Sequence, residues 1–197
     1  NQGDNVISTL DAGLQQTAYY AMGDYQGAVV VLEPDTGQIK AMVSKPDFNP
    51  NTIASDWEAL SQDTGNSSLL NRATQGQYPP GSTFKIVTAL DYYKKHGSMD
   101  GFSYNCEGSI TVDGHTIQCY NGNVHGQQDL YTAFANSCNC AFAQMGLDLG
   151  GDSLSSVCRQ LLFNRNLPLK MAYRVSTFSL DDQSGNALTM QTSIGQG

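Results

Sequence analysis

A serine and a lysine stand three residues apart in YPPGSTFKIVTALDYYKKHG, as Ser82 and Lys85, at what reads as the first turn of a helix. Residues i and i+3 lie on one helical face, so the hydroxyl and the amine can meet. A serine hydroxyl is a weak nucleophile until a neighbouring base takes its proton, and a neutral lysine amine can be that base. Free lysine, with a pKa of about 10.4, is only about 0.04% neutral at pH 7. Burial at a helix N-terminus lowers that value, because low dielectric and the positive helix end both disfavour the ammonium. A drop of about 3 pH units corresponds to about 4 kcal/mol of differential stabilisation, which calls for a lysine on a buried helix. The plain alternative is Ser82 as an N-cap and Lys85 as a solvated first-turn residue, and spacing alone does not choose.

The elements around the pair follow from periodicity and turn chemistry. A helix is predicted over residues 82–96, with Phe84, Val87 and Leu90, joined by Ile86 and Tyr93, as its apolar side. Pro79-Pro80-Gly81 fixes the chain before it and His96-Gly97 supplies the stop. Upstream, GAVVVLEPDTGQIKAMVS predicts two strands joined by Pro34-Asp35-Thr36-Gly37, with Ile39, Ala41 and Val43 alternating after the turn. Residues 11–22 read as a helix with Leu14, Ala18 and Ala21 or Met22 on one side. Residues 45–81 are polar apart from a short helical piece around Trp57 and Leu60, a length more often functional or mobile than a plain connector. Further helices are predicted over 130–135, 140–149 and 153–162, the last with Asp152 as its N-cap. The closing LTMQTSIGQG reads as a polar, glycine-bearing end rather than a helix, and as cut.

At 197 residues and 40% hydrophobic, the chain can bury one sizeable core, so residues 1–197 read as one domain or part of one. Ten Lys+Arg against 18 Asp+Glu give a formal charge of -8, which disfavours nucleic acid and anionic membrane surfaces as partners. No run approaches the roughly 20 apolar residues of a membrane span, and no start resembles a signal peptide.

Five cysteines leave at least one unpaired within a monomer. In CEGSITVDGHTIQC, an Asp113-Gly114 turn pairs Val112 with His115 and Ile110 with Ile117, which points Cys106 and Cys119 to one face as diagonal neighbours. A diagonal of about 7–8 Å slightly exceeds comfortable disulfide reach, so a bridge would need a bulge or strong twist, and bridged and free states both stay open. Cys138, Cys140 and Cys158 read as small buried hydrophobes. A zinc site from Cys138-Asn139-Cys140 plus a histidine lacks the usual ligand gaps, so neither metal nor cofactor is expected.

Read outward from Ser82, LLNRATQGQYPPGSTFK resembles the active-site approach of penicillin-binding protein transpeptidase domains. Their signature joins Ser-x-x-Lys to Ser-Asp-Asn and Lys-Thr-Gly. Here Ser137-Cys138-Asn139, 55 residues after Ser82 within LYTAFANSCNCAFAQMG, fits the looser Ser-x-Asn form. GAVVVLEPDTGQIKAMVSKPDFNPN is similar to the family's first core strands and ALTMQTSIGQG to the approach to its third motif, so the resemblance covers nearly the whole chain from Val6. Neither Lys-Thr-Gly nor Lys-Ser-Gly occurs. The resemblance implies an α/β (α+β) chain of β-lactamase/transpeptidase-like fold, an antiparallel sheet with a helical subdomain, here expected to be truncated at its C-terminal side.

The same resemblance implies an acyl transfer, with no cofactor. Ser82 would attack the peptide carbonyl between two D-alanines of a peptidoglycan stem peptide, with Lys85 as general base. D-alanine would leave, and an amine of a second stem peptide would resolve the acyl-enzyme. Ser137 would relay a proton to the leaving nitrogen, and Asn139 would hold the amide side of the substrate and orient Lys85. β-Lactam antibiotics would acylate Ser82. The Ser82 N–H would form half of an oxyanion hole, its partner coming with the third motif, so the 197-residue chain alone is expected to react poorly with labelled penicillin. The implied location is the extracytoplasmic face of a bacterial cytoplasmic membrane, through an N-terminal anchor outside this chain, with the cell-wall synthesis machinery as partner. That compartment permits a Cys106–Cys119 bridge.

Class D β-lactamases and related β-lactam sensors also carry Ser-Thr-Phe-Lys, but usually have Val where Asn139 stands. Class A enzymes need a glutamate after the second motif, and residues 150–197 contain none. A noncatalytic binding module of the same fold is the remaining alternative; a Ser82→Ala exchange would leave its function intact.

Overall fold

The turn at residues 34–37 forms as its sequence requires in the computed structural model of the chain, which describes residues 4–196. Two units are distinguished, one running up to Gln77 together with Leu169–Arg174, the other from Tyr78 to Pro168 together with the residues from Val175 onward.

In the first unit, α1 (Ala12–Ala21) starts at Asp11, whose carboxylate accepts from the Leu14 N–H. The hairpin of β1 (Gly27–Leu32) and β2 (Ile39–Lys45) pairs Val29 with Val43 and Val31 with Ala41. Gly37 closes its turn at φ +71°, a left-handed value that glycine adopts at no steric cost. Ala18, Met22, Ala41 and Val43 form the small core. Leu14, expected beside Ala18, is instead 43% exposed. α2 (Ile53–Gln62) carries Trp57 and buries no residue, and α3 (Arg72–Gln75) is tied to β2 by the Arg72 N–H on Ser44 Oγ at 3.0 Å.

The second unit opens with a 3-10 turn, Gly81–Phe84, that runs into α4 (Lys85–His96), which ends at left-handed Gly97. Helix is therefore present where the pattern of residues 82–96 requires it, but its first turn is wound tighter. The buried stripe of α4 also differs from the apolar one. Lys85, Thr88, Ala89 and Tyr92 are buried, whereas Ile86 and Tyr93 are 60% and 47% exposed. Polar groups can occupy a buried stripe when each finds partners, as Thr88 Oγ1 does on the Ser193 carbonyl at 2.8 Å.

Two ribbons follow: β3 (Tyr104–Cys106), β4 (Ser109–Val112), β5 (His115–Gln118) and β6 (Gly126–Gln128) pair antiparallel as β4 with β5 and β3 with β6. The β4–β5 register is Ile110 to Ile117 and Val112 to His115, with Asp113 and Gly114 both at positive φ, the geometry of a two-residue hairpin turn. Cys106 lies on β3 rather than on this hairpin, because the chain breaks at Gly108, whose carbonyl accepts from the Cys119 N–H.

α5 (Leu130–Ala135), α6 (Asn139–Leu149) and α7 (Gly151–Gln160) complete the predicted helices. Asp152 is not the N-cap of α7 but lies within it. The helix starts earlier because Asp182, 30 residues on, accepts from the Asp152 N–H. Chain closure here is also tight, since a Cβ on Gly151 would meet the Asp181 carbonyl oxygen at 2.2 Å. The polar end of the sequence forms α8 (Gly185–Ser193), contrary to the reading of LTMQTSIGQG as non-helical. It gains its stability from packing on α6, where Met190 and Ser193 are fully buried.

The α6–α8 contact depends on Gly146, where a Cβ would fall 1.7 Å from Ser193 Oγ and 2.5 Å from its Cβ. Gly146→Ala is expected to lower stability by about 1–3 kcal/mol through overpacking. Denaturant titration checks this; an unchanged midpoint would mean that the two helices separate freely.

Candidate active site

Ser82 sits on the 3-10 turn in front of α4, held from three sides. Phe84 stacks on Phe178 at 5.7 Å between ring centroids and meets Phe163 edge-on at 6.3 Å. The Gly81 N–H donates to the Gly195 carbonyl at 2.9 Å, and a Cβ on Gly195 would meet the Gly81 oxygen at 2.0 Å. No side chain caps the N-terminus of this turn or of α4, so Ser82 is not an N-cap. Its hydroxyl is left for other work, and Ser82 is exposed.

Lys85, at the first position of α4, is 2% exposed. Its Nζ lies 3.3 Å from Ser82 Oγ, 3.0 Å from Ser137 Oγ, 2.7 Å from the Ser137 carbonyl and 2.7 Å from Asn139 Oδ1. All four residues singled out from the sequence thus meet at one nitrogen. The carbonyl and the amide oxygen are acceptors only, so they take two amine hydrogens. A neutral amine then keeps its lone pair for a hydroxyl proton, and the two serine hydroxyls are there to offer one. Burial pulls the Lys85 pKa down to about 8. At that value about a tenth of the amines are neutral at pH 7.

The second motif is shaped to face this amine. Ser137 has φ +48°, a left-handed conformation uncommon for a residue with a Cβ, and it turns both its carbonyl and its hydroxyl toward Lys85. Cys138 then caps α6, its Sγ accepting from the Ala141 N–H at 3.4 Å. Asn139 begins the helix, accepting from Lys85 Nζ at Oδ1 and donating from Nδ2 to the Gln118 carbonyl at 2.8 Å. Gln118, at the end of β5, is a participant that the sequence did not mark, because a backbone carbonyl carries no residue-type signal. Cys106 and Cys119 also meet, their sulfurs 3.7 Å apart and unbonded.

The arrangement offers a solvent-facing hydroxyl, a buried amine able to take its proton, and a second hydroxyl within reach of the same nitrogen. Known proteins are similar to this chain in sequence and in fold. A family profile for the penicillin binding protein transpeptidase domain matches residues 27–197. The chain is 35% identical over 213 residues to the peptidoglycan D,D-transpeptidase PbpA of Mycobacterium tuberculosis, covering 99% of this chain and 43% of that protein. It therefore spans less than half the length of this curated relative. Among solved structures, the ceftriaxone acyl-enzyme complex of penicillin-binding protein A from M. tuberculosis superposes with a TM-score of 0.89 at 32% identity, covering 100% of this chain and 48% of that one. The complex between PBP2 and MreC from Helicobacter pylori gives 0.80 at 27% identity, covering 95% and 38%. These likenesses assign the antiparallel pairs and their helices to the β-lactamase/transpeptidase fold. With a profile match over most of its length and a relative of this identity, the chain belongs to the penicillin-binding protein transpeptidase domain family.

Proposed function

We propose that this chain carries the nucleophile and proton-transfer half of a serine D,D-transpeptidase that crosslinks peptidoglycan stem peptides. The observation that carries the reading is the single buried amine shared by Ser82, Ser137 and Asn139. Lys85 Nζ takes the Ser82 hydroxyl proton as Oγ bonds to the carbonyl carbon of a D-alanyl-D-alanine peptide. The oxyanion that forms faces the Ser82 N–H. As the C–N bond breaks, the proton passes from Lys85 through Ser137 Oγ to the departing nitrogen, and D-alanine leaves an ester on Ser82. An amine from a second stem peptide then attacks that ester, forming the crosslinking amide and returning the proton to Ser82 Oγ. Asn139 keeps Lys85 in line and, with the N–H not used by Gln118, holds the amide side of the substrate. A β-lactam follows the first half of the same path, but its leaving nitrogen stays tethered to the acyl group and does not depart.

Such a substrate lies outside the cytoplasmic membrane of a bacterium, so the domain is assigned to its extracytoplasmic face. No described helix is long and apolar enough to cross a membrane. The likeness to a PBP2 solved with MreC supports a partner within the cell-wall synthesis machinery. The formal charge of -8 disfavours nucleic acid as a partner.

The lowered Lys85 pKa supplies the test. Only the neutral amine can accept the serine proton, and its fraction rises with pH through about 8. The rate constant for acylation by labelled penicillin, measured on the protein at its natural length, is expected to rise about tenfold from pH 7 to pH 9. A flat profile over that range would show that no base titrating near 8 governs acylation.

A further inference from the structure

Four side chains outside the proton-transfer group converge on one point in the second unit. Cys106 ends β3, Cys119 follows β5, His125 precedes β6 and Cys138 caps α6. Their ligand atoms all lie within 4.8 Å of one another. Cys119 Sγ is 3.7 Å from both Cys106 Sγ and Cys138 Sγ, and Cys106 Sγ is 3.5 Å from His125 Nδ1. A tetrahedral zinc ion, with Zn–S of about 2.3 Å and Zn–N of about 2.0–2.1 Å, sets S···S edges of about 3.8 Å and S···N edges of about 3.6 Å. We propose that Cys106, Cys119, His125 and Cys138 bind one zinc ion, as three thiolates and a neutral imidazole through Nδ1.

The surroundings suit that ion. The three cysteines are buried, at 0%, 3% and 0% exposure, while half-buried His125 leaves a route from solvent. Three thiolates and an imidazole are a soft donor set of the structural zinc kind. Cys138 Sγ already accepts the Ala141 N–H at the start of α6, a hydrogen bond that fixes where its sulfur points. Cys140 falls outside the set of four that share one centre, although its Sγ lies as near to Cys119 as the other sulfurs do. It lies 3.5 Å from Cys119, and its own Sγ donates to the Ile117 carbonyl at 3.9 Å.

The elements being joined are short and rest on α6, and a crosslink would add to that packing. The two ribbons have strands of three and four residues, a length that is marginal for isolated two-stranded pairs. One ion would tie the end of β3, the end of β5, the approach to β6 and the start of α6 together, and its binding free energy would add to folding. The ligands come from four elements, so neither the Cys138-Asn139-Cys140 spacing nor any paired-cysteine motif announces them. Because Cys138 lies between Ser137 and Asn139, the ion would also fix the two residues that hold Lys85.

Metal analysis decides this independently of the acyl-transfer reading. The reduced protein, incubated with zinc and desalted, is expected to retain about one zinc per chain, and Cys106→Ser and His125→Ala less than about a tenth of that. Cys140→Ser and Cys158→Ser are expected to retain it fully. Since a ligand variant can fail to fold, the unsubstituted protein is also titrated with cobalt(II), where thiolate-to-cobalt charge transfer with tetrahedral d–d bands is expected. Three results would each overturn the site: no zinc held by the unsubstituted protein, undiminished zinc in Cys106→Ser and His125→Ala, or octahedral cobalt bands without charge transfer. A Cys106–Cys119 disulfide in protein treated with zinc under reducing conditions would overturn it as well.

Discussion

Lys85→Met is expected to slow acylation of Ser82 by about 10²–10⁴-fold, the span that a positioned general base contributes. Methionine roughly keeps the buried volume but removes the one nitrogen that Ser82, Ser137 and Asn139 share. The Ser137 carbonyl and Asn139 Oδ1 lose a donor at the same time, so a stability loss of about 1–3 kcal/mol should accompany the rate loss. Lys85→Arg separates charge from basicity. A guanidinium stays protonated at any pH the protein survives, so it can donate to Ser137 and Asn139 yet cannot accept the Ser82 proton. Single-turnover acylation by labelled penicillin, read beside a melting curve, distinguishes the two losses. Acylation by Lys85→Met within about threefold of the unsubstituted rate would place the base elsewhere.

Asn139→Ala is expected to cost about 10²-fold in the acylation rate, through misplacement of the base rather than its removal. Asn139 is the link between Lys85 and β5, with Oδ1 at 2.7 Å from Nζ and Nδ2 at 2.8 Å from the Gln118 carbonyl. Without it, the amine keeps its proton affinity but loses one of the two acceptors that aim its lone pair. Asn139→Asp gives a different signature. A carboxylate beside Nζ favours the ammonium, so the rise of rate with pH should move above its expected midpoint near 8. It would also set a carboxylate oxygen against the Gln118 carbonyl, which has no hydrogen to give. Rates measured over pH for both variants check this; an Asn139→Asp profile identical to that of the unsubstituted protein would show that Asn139 does not touch the base.

Part of this geometry could be read from residues alone: Ser82 and Lys85 were legible as a pair one helical turn apart, whereas Ser137 and Asn139 were legible only through the resemblance to the transpeptidase family. The Asp113-Gly114 hairpin was legible because two positive-φ residues in a row admit few other turns. What escaped depends on partners far along the chain. The buried face of α4 is polar at Lys85 and Thr88, so an apolar stripe pointed to Ile86 and Tyr93 instead. The start of α7 is set by Asp182, and α8 forms on a surface made by Gly146. The meeting of all of Cys106, Cys119, His125 and Cys138 needs four elements in place, of which the hairpin announced only the nearness of Cys106 and Cys119.

The most direct test is to treat the protein at its natural length with penicillin G and map the adduct by mass spectrometry of its peptides. One penicilloyl group on the peptide containing Ser82, absent in Ser82→Ala, is the expected result. An adduct on any other residue, or one that persists in Ser82→Ala, would contradict the assignment of Ser82 as the nucleophile.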